Sequence, residues 1–280
     1  MAKTMHQRFA VTGSEFSLTD FDAGATPGMK DGIKARKYIE SLGPSLREWQ
    51  TKLYAERKQS LLLILQGMDA CGKDGVVKHV VHQFYPTSVH VTPFKAPTDA
   101  EKRRNFLWRF KSQLPAPGNI NIFNRSHYED VGIVKVRRLA PATVIEGRYA
   151  EINKFEQQVV DNGVTVIKCF LHVSRPEQRQ RMLDRLDEPT KRWKFKEGDL
   201  DESDRWKQYL SAYDIAIRRC STDAAPWYVI PADHKWYRDW VIAQLLIEWF
   251  EEMNPQYPKM AEFDIPALRK RIKASGRVAT

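Results

Sequence analysis

The stretch GMDACGKDG, residues 67–75, directly follows the apolar run SLLLILQ at residues 60–66. A short, continuous apolar run is typical of a strand that is buried on both faces of a sheet. Gly67, Gly72 and Lys73 match the spacing G-x-x-x-x-G-K of a phosphate-binding loop, in which backbone N–H groups point at phosphate oxygens and the lysine adds charge. A tight strand-to-helix turn with a chance lysine is the alternative. We predict a phosphate-binding loop between a strand and a helix.

Two carboxylates accompany this loop. Asp74 stands where nucleoside triphosphatases carry a Ser or Thr that binds magnesium. An aspartate there can offer an oxygen to a hard cation, but it can equally be a carboxylate that the helix dipole stabilises, and the sequence leaves both open. Asp69 lies inside the loop, where a carboxylate would only repel phosphates unless it handles a cation or a substrate proton. We therefore predict a functional role for Asp69.

Strand-like and helical segments alternate along the rest of the chain. The later strand-like segments are SVHVTPF at 88–94, NINIFN at 119–124, VTVIKCFLHV at 164–173 and PWYVIPA at 226–232. Segments with helical character separate them. This alternation predicts an α/β fold, in which helices flank both faces of a parallel sheet and the strands deliver their carboxyl ends to one ligand-binding edge.

The pattern divides the chain into three parts. We predict an N-terminal arm and helical segment at residues 1–58, the α/β core at 59–255, and a basic tail at 256–280 that is loose at its end. Residues 1–28 show no clear period, so we expect an arm that lies on the surface or is partly disordered. The helical segment after the arm should break near Gly43-Pro44.

The composition limits the classes of protein and ligand. The chain of 280 residues has a formal net charge of +10, which favours anionic partners such as a highly phosphorylated substrate, nucleic acid or acidic lipid. Its three cysteines form no CxxC pair and its seven histidines form no HxH or HxxxH pair, which argues against a structural zinc site. No apolar stretch is long enough to span a bilayer and no signal-peptide core begins the chain, so we expect a cytoplasmic protein.

A second group of polar residues follows the strand NINIFN. Arg125, Glu129 and Asp130 lie where a parallel sheet delivers side chains to its ligand-binding edge. An arginine there can fork onto phosphate oxygens, and Glu129 or Asp130 can hold metal-bound water. Ordinary helix capping by Ser126, with Glu129 at the third position of a capping box, is the alternative, and both can hold at once.

A third group is basic and covers residues 179–199, RQRMLDRLDEPTKRWKFKEGD. A basic helix followed by a Pro-interrupted basic loop predicts a lid, at about 179–203, that closes over phosphates and excludes water. A solvated charged face is the alternative. The basic residues of this segment are Arg179, Arg181, Arg185, Lys191, Arg192, Lys194 and Lys196.

The segment TPFKAPTDAEKRRNFLWRF, after the second predicted strand, adds to the basic edge. Its basic residues include Lys95, Arg103, Arg104 and Arg109. We expect Lys95 to contact phosphate, and we expect the aromatic side chains of Trp108 and Phe110 to lie in the core rather than to stack on a base.

Three motifs together resemble the polyphosphate kinase 2 family. They are GMDACGKDG after the apolar strand, IFNRSHYEDV, and DEPTKRWKF, and the similarity continues through APWYVIPADHKWYRDW. The resemblance covers roughly residues 15–255, and three spaced motifs are more specific than one glycine loop. Asp74, which departs from the nucleoside triphosphatase pattern, belongs to the pattern of this family.

The resemblance implies a fold similar to thymidylate kinase, with a P-loop core and a helical lid. It implies reversible phosphoryl transfer between inorganic polyphosphate and a nucleotide, with Mg²⁺ or Mn²⁺. By this analogy Asp69 orients the metal or activates the attacking nucleotide phosphate. The residues that would hold the transferring phosphates are Lys73 and the loop positions Gly67, Ala70, Gly72, Asp74 and Gly75. Those that would neutralise the transition state are Arg125, Arg185, Arg192 and Lys194.

Two positions indicate a subgroup. Other members read Asp-Arg-Ser where this chain has Asn124-Arg125-Ser126, and Asn where it has Glu129. Asn124 and Glu129 look like the subgroup that phosphorylates both AMP and ADP, so these two residues and Arg125 are expected at the nucleotide. The expected partners are therefore polyphosphate, AMP, ADP and ATP, without nucleic acid or membrane. The resemblance also suggests a homo-oligomer, either a dimer or a tetramer.

Three other functions are consistent with parts of the sequence. A nucleoside monophosphate kinase that uses ATP would have the same fold, but it would more often keep Ser or Thr after Lys73 and would not need so basic a groove. An RNA-binding module would fit the charge, but the chain has no RNP, KH or zinc-knuckle signature. A basic scaffold that only stores polyphosphate would bind the polymer and leave nucleotides unchanged.

Overall fold

Five parallel strands form the centre of the protein, in a computed structural model that describes residues 3–13, 15–195, 197–259 and 263–275. Lys196 and parts of the predicted arm and tail lie outside these residues. The strand order is β2-β3-β1-β4-β5. The strands are β1 (Ser60–Gln66), β2 (Val89–Pro93), β3 (Ile120–Asn124), β4 (Val164–His172) and β5 (Trp227–Pro231).

The central strand is β1, and all of its residues are buried. It pairs in parallel with β3 on one side and β4 on the other, so that Leu63 lies beside Ile122 and Ile167. The predicted α/β fold with a parallel sheet and flanking helices is confirmed. The helices are α1 (Met5–Phe9), α2 (Gly32–Glu56), α3 (Lys73–His79), α4 (Asp99–Lys102), α5 (Trp108–Lys111), α6 (Ile133–Val136), α7 (Ala142–Asp161), α8 (Arg175–Asp187), α9 (Gly198–Asp204), α10 (Trp206–Cys220), α11 (Lys235–Met253) and α12 (Ile265–Ser275).

Helix α2 runs without interruption through Pro44, so the predicted break near Gly43-Pro44 is wrong. The proline removes one N–H donor from the helix. Packing of the apolar side of α2 against α11 compensates, because Leu46 and Leu53 are fully buried and the ring of Trp49 stacks on Phe250 with centroids 6.4 Å apart. Tertiary contacts here outweigh the local preference of proline.

The described residues of the N-terminal arm lie along the edge of the sheet, mostly exposed or partly exposed, and bury a few apolar side chains there. Phe9 and Leu18 are buried. The N–H of Val11 donates to the carbonyl of Trp227 at 2.8 Å, and a short antiparallel bridge joins Ala10 to Tyr228. The arm therefore covers the open edge of β5, where unpaired backbone groups would otherwise be exposed.

Helix α10 has no counterpart among the elements predicted from the sequence. Its buried residues Trp206, Tyr209, Tyr213 and Ile217 recur at helical spacing. The helix packs against α6 and α7. An amphipathic pattern was therefore present in the sequence, and it places two tyrosines on the side of the helix that faces inward.

Two aromatic residues near β2 have different surroundings. Phe110 is buried, as expected. Trp108 is 42% exposed, and the guanidinium of Arg104 lies 4.4 Å from its ring centroid, so the expected core position of Trp108 is wrong. Across the part of the chain that the structure describes, no helix is both long and apolar enough to cross a bilayer.

A buried ionic cluster joins β4, α7 and the turn after β3. The Nζ atom of Lys168 lies 2.5 Å from Oε2 of Glu156 and 2.9 Å from the hydroxyl of Tyr128, and Nε2 of His127 lies 3.0 Å from Oε1 of Glu156. All four side chains are buried. Burial opposes ionisation of Glu156, but the charge of Lys168 and the hydrogen bond with His127 outweigh it and hold the pKa of Glu156 below its ordinary value.

We expect Glu156→Gln to lower the free energy of unfolding by about 3–5 kcal/mol, because it leaves the buried ammonium of Lys168 without a counter-charge. Urea denaturation of both proteins measures the difference. Glu151→Gln, an exposed position on the same helix, is the control and should change the free energy by less than about 0.5 kcal/mol. If Glu156→Gln and the wild type had the same free energy of unfolding, the ammonium of Lys168 would not need the carboxylate of Glu156 as a counter-charge.

Candidate active site

The predicted phosphate loop connects the end of β1 to α3, and glycine is required at two of its turns. Gly67 has a φ of +146° and Gly72 a φ of +104°, values that side-chain-bearing residues rarely adopt. A Cβ on Gly67 would also lie 2.7 Å from the carbonyl oxygen of Leu171. Ala70 has a positive φ of 62° without being glycine, which is the kind of backbone strain found at functional sites.

Lys73 begins α3 and places its charge inside the curve of the loop. Its side chain is buried, and Nζ donates to the carbonyls of Gly67 at 2.8 Å and of Met68 at 3.2 Å. Together with the amino terminus of the loop helix, the ammonium makes this concave backbone a cationic site.

Arg125 faces the loop from the carboxyl end of the neighbouring strand. Its backbone N–H donates to the carbonyl of Leu65 at 3.1 Å, and its Nη2 lies 2.9 Å from Oδ1 of Asp69. Burial opposes the charged form of Arg125, but the carboxylates of Glu129 and Asp69 outweigh it and raise the pKa. The side chain of Arg125 is 40% exposed and therefore remains accessible to a ligand.

Asp74 and Asn124 make a second contact between the same two segments. Nδ2 of Asn124 donates to Oδ1 of Asp74 at 2.8 Å. Asp74 lies in the first turn of α3. This position is compatible both with a cation ligand and with a carboxylate that the helix dipole stabilises. The carboxylates of Asp74 and Asp69 thus contact two consecutive residues, the last residue of β3 and the one that follows it.

Glu129 turns toward the end of β1. Its Oε1 accepts from Nε2 of Gln66 at 2.5 Å, and the same amide donates to the hydroxyl of Tyr213 at 3.0 Å. Ser126 caps the 3₁₀ turn His127–Asp130 by accepting from the N–H of Tyr128. Glu129 therefore does not form a capping box with Ser126, which was the alternative to a functional role for Glu129.

The side chain of Asp130 contacts a different part of the protein from that of Glu129. Its Oδ1 lies 3.3 Å from Nη1 of Arg148. Burial raises the pKa of Asp130 to about 6, and Arg148 partly opposes this rise. Asp130 does not belong to the pocket that Glu129 lines.

One pocket collects the predicted residues Gly67, Asp69, Arg125 and Glu129. The sequence analysis did not identify the remaining lining residues as functional. They come from the loop, α6 and the helices α8 to α10, and are Met68, Ile133, Gln178, Glu202, Tyr209 and Tyr213. The inward-facing tyrosines could have been found from the amphipathic pattern of α10, whereas no local signal marks Gln178.

The predicted basic contacts are not brought to this pocket. Nη1 of Arg185 lies 3.5 Å from Oδ2 of Asp199, and Nε of Arg192 donates to the carbonyl of Leu186 at 2.7 Å. Nζ of Lys194 lies over the ring of Trp193, and the exposed Lys95 contributes its carbonyl to Arg109. Their assignment to phosphate binding and to a lid stays a prediction.

Arg181 differs from the other basic residues of its segment because it is buried. Its Nη1 donates to the carbonyls of Ala70 at 2.9 Å and of Cys71 at 3.0 Å, both in the phosphate loop. Its Nη2 donates to the carbonyls that follow β5. Gln178, one turn earlier, donates to the carbonyl of Asp69 at 2.9 Å. Helix α8 therefore supports the back of the loop.

The residues near the loop fit a divalent cation that takes most of its ligands from substrate phosphates and water. Magnesium is commonly bound in this way through one or two carboxylates. Asp69 lines the pocket with a side chain that is 32% exposed, and Asp74 lies at the end of the same loop. Within the described ranges, no group of three or more His, Cys, Asp or Glu side chains could hold a metal ion alone.

Comparisons with known proteins agree on one family. A family model described as polyphosphate kinase 2 (PPK2) matches residues 30–258. An AMP/ADP-polyphosphate phosphotransferase from Meiothermus ruber is 45% identical over 245 residues, which is 87% of this chain and 92% of the relative. An ADP-polyphosphate phosphotransferase from Rhodopseudomonas palustris is 40% identical over 239 residues, 81% of each chain.

A solved structure gives the same result in three dimensions. The crystal structure of polyphosphate kinase 2 from Arthrobacter aurescens TC1 superposes with a TM-score of 0.93 at 42% identity and covers 98% of both chains. The sequence match and the superposition both extend over the loop, the strand ends and the pocket described above. The chain belongs to the polyphosphate kinase 2 family.

Proposed function

We propose that this protein transfers phosphoryl groups reversibly between inorganic polyphosphate and the nucleotides AMP and ADP, which yields ADP and ATP. The observation that carries the proposal is one pocket in which Asp69 of the phosphate loop faces Arg125 and Glu129. The names of the two relatives, an AMP/ADP-polyphosphate phosphotransferase and an ADP-polyphosphate phosphotransferase, support polyphosphate as the donor and AMP or ADP as the acceptor.

The side chains present match what phosphoryl transfer requires. The reaction depends on positioning and on charge stabilisation more than on covalent chemistry. Lys73 and the loop N–H groups would bind the oxygens of the transferring phosphoryl group. Arg125 would neutralise charge from the opposite side, and Asp69 holds its guanidinium in place at 2.9 Å.

A bound Mg²⁺ or Mn²⁺ would supply neutralisation of phosphate charge, with Asp69 as the protein ligand that we propose for it. The charge of the whole chain also suits the donor. Polyphosphate carries about one negative charge per phosphate at neutral pH, and a protein with a net charge of +10 attracts such a polymer. We retain homo-oligomer formation, a cytoplasmic location and the absence of a nucleic-acid partner as predictions.

We expect purified protein with long-chain polyphosphate, Mg²⁺ and AMP to form ADP and then ATP without any added nucleoside triphosphate. Ion-exchange chromatography separates the products, and a parallel sample starts from ADP. Product from ADP alone would keep the polyphosphate donor and remove AMP as an acceptor. No product from either acceptor, combined with turnover of ATP plus AMP, would favour an ATP-dependent nucleoside monophosphate kinase.

Lys73→Ala is expected to lower kcat by about 10²- to 10³-fold, because one donor to the transferring phosphoryl group is lost. Lys78→Ala, at an exposed position of the same helix, should retain the wild-type rate. Both variants are purified in the same way, and a sample with ADP but without polyphosphate detects any ATP that contaminating adenylate kinase forms. A Lys73→Ala protein that is folded, free of contaminant and fully active would remove this role from Lys73.

Glu129→Asn and Asn124→Asp should each shift the ratio of kcat/KM for AMP to that for ADP, because Glu129 lines the pocket and Asn124 contacts Asp74 of the loop. The ratio is measured with polyphosphate as the fixed donor. Glu146→Gln, an exposed carboxylate on α7, serves as the control. An unchanged ratio in both variants would contradict the assignment of these positions to acceptor selection.

A further inference from the structure

A second buried arginine lies against the back of the phosphate loop. Arg238, in the first turns of α11, is 2% exposed, and its Nη1 lies 3.3 Å from the carbonyl oxygen of Cys71. A Cβ on Gly72 would lie 1.8 Å from Nη1 of Arg238, and a Cβ on Gly75 would lie 2.6 Å from Nη2. The loop glycines therefore leave the space that this guanidinium occupies.

The contact fixes the direction of one peptide group. In a planar trans peptide the C=O and the following N–H point in opposite directions. The carbonyl of Cys71 accepts from Arg181 and Arg238 behind the loop, so the N–H of Gly72 points the other way, toward the concave side. An N–H with this direction is what a phosphate oxygen requires.

The guanidinium is itself held rigidly. Nε and Nη2 of Arg238 donate to Oδ1 of Asp239 at 2.9 and 2.7 Å, and Oδ2 of Asp239 lies 2.9 Å from Nδ1 of His79 at the far end of α3. Adjacent residues of α11 thus contact both ends of the short loop helix. Buried ion pairs contribute little to stability compared with apolar packing, so a charge in this position calls for another reason.

We propose that Arg238 is a positioning residue for phosphate binding: by donating to the carbonyl of Cys71 it sets the orientation of the loop backbone between Cys71 and Gly75, so that loop N–H groups face the bound phosphates. Asp239 balances the charge of Arg238, so the effect of Arg238 on phosphate is exerted through the loop backbone. The inference rests on the proposed function only in that the loop binds phosphates, and it holds for polyphosphate and ATP alike.

The test compares Arg238→Gln with Arg238→Lys. We expect Arg238→Gln to weaken the binding of polyphosphate and of ATP by about 10- to 100-fold, the range typical of residues that orient the groups in direct contact with a metal ion. Arg238→Lys should recover part of the loss. Binding is measured by isothermal titration calorimetry, and Tm is measured for each protein. Arg47→Gln is the matched control, because Arg47 also donates to a backbone carbonyl but lies on α2.

A purely structural role predicts another result. Both Arg238 variants would then lose Tm while their phosphate affinities stayed at the wild-type values, and this outcome would overturn the proposal. If the wild type binds ATP but not polyphosphate, the proposed donor is wrong, and the comparison of variants with ATP still decides the role of Arg238.

Gly75→Ala provides a second route if Arg238→Gln does not fold. The new methyl group would displace the guanidinium while the arginine remains present, and alanine favours the helical conformation that Gly75 already has. We expect a folded protein with phosphate affinity reduced about as much as in Arg238→Gln. A folded Gly75→Ala protein with wild-type affinity for both phosphate ligands would contradict the proposal.

Discussion

The pairing of β1 between β3 and β4 is the constraint on which the site depends. Leu65 lies beside Asn124 on one side and Cys169 on the other, so the chain after β1 and the chain after β3 emerge next to each other. This register brings Asp69 within 2.9 Å of Arg125 although 56 residues separate them in sequence. A slip of one residue would turn alternate side chains to the opposite face of the sheet and separate the pair.

Sequence reasoning succeeded where a feature is encoded within a few neighbouring residues. The apolar run of β1, the glycines and Lys73 describe one strand, one turn and one helix start, and Arg125 follows from the rule that parallel strands deliver residues to one edge. Sequence reasoning failed where contacts between residues far apart in the sequence determine the local structure. Pro44 is accommodated because α2 packs on α11, and Arg181 faces inward although it lies in a run of basic residues whose other members are mostly exposed.

The pocket also shows how acidic side chains are kept beside a site for anions. Each of the four carboxylates at the loop and the pocket has its own donor: Arg125 for Asp69, Asn124 for Asp74, Gln66 for Glu129 and Arg137 for Glu202. Two of these donors are neutral amides, which orient a carboxylate without cancelling its charge. Lys73 places its charge inside the loop, whereas Arg181 and Arg238 behind the loop are paired with Glu177 and Asp239. The positive charge at the loop therefore comes from Lys73 and the backbone N–H groups, and the two paired arginines act by holding the loop backbone in place.

The contact between Asn124 and Asp74 gives position 124 a particular electrostatic weight. An amide there donates to Asp74 at 2.8 Å. An aspartate in its place would set two carboxylates at that distance, and such a pair needs a shared proton or a cation between them. Where a cation rather than a proton joins the pair, aspartate adds one negative protein charge beside the loop. ADP is more negative than AMP at neutral pH, so a one-unit change at this place is of the size that could discriminate between the two acceptors.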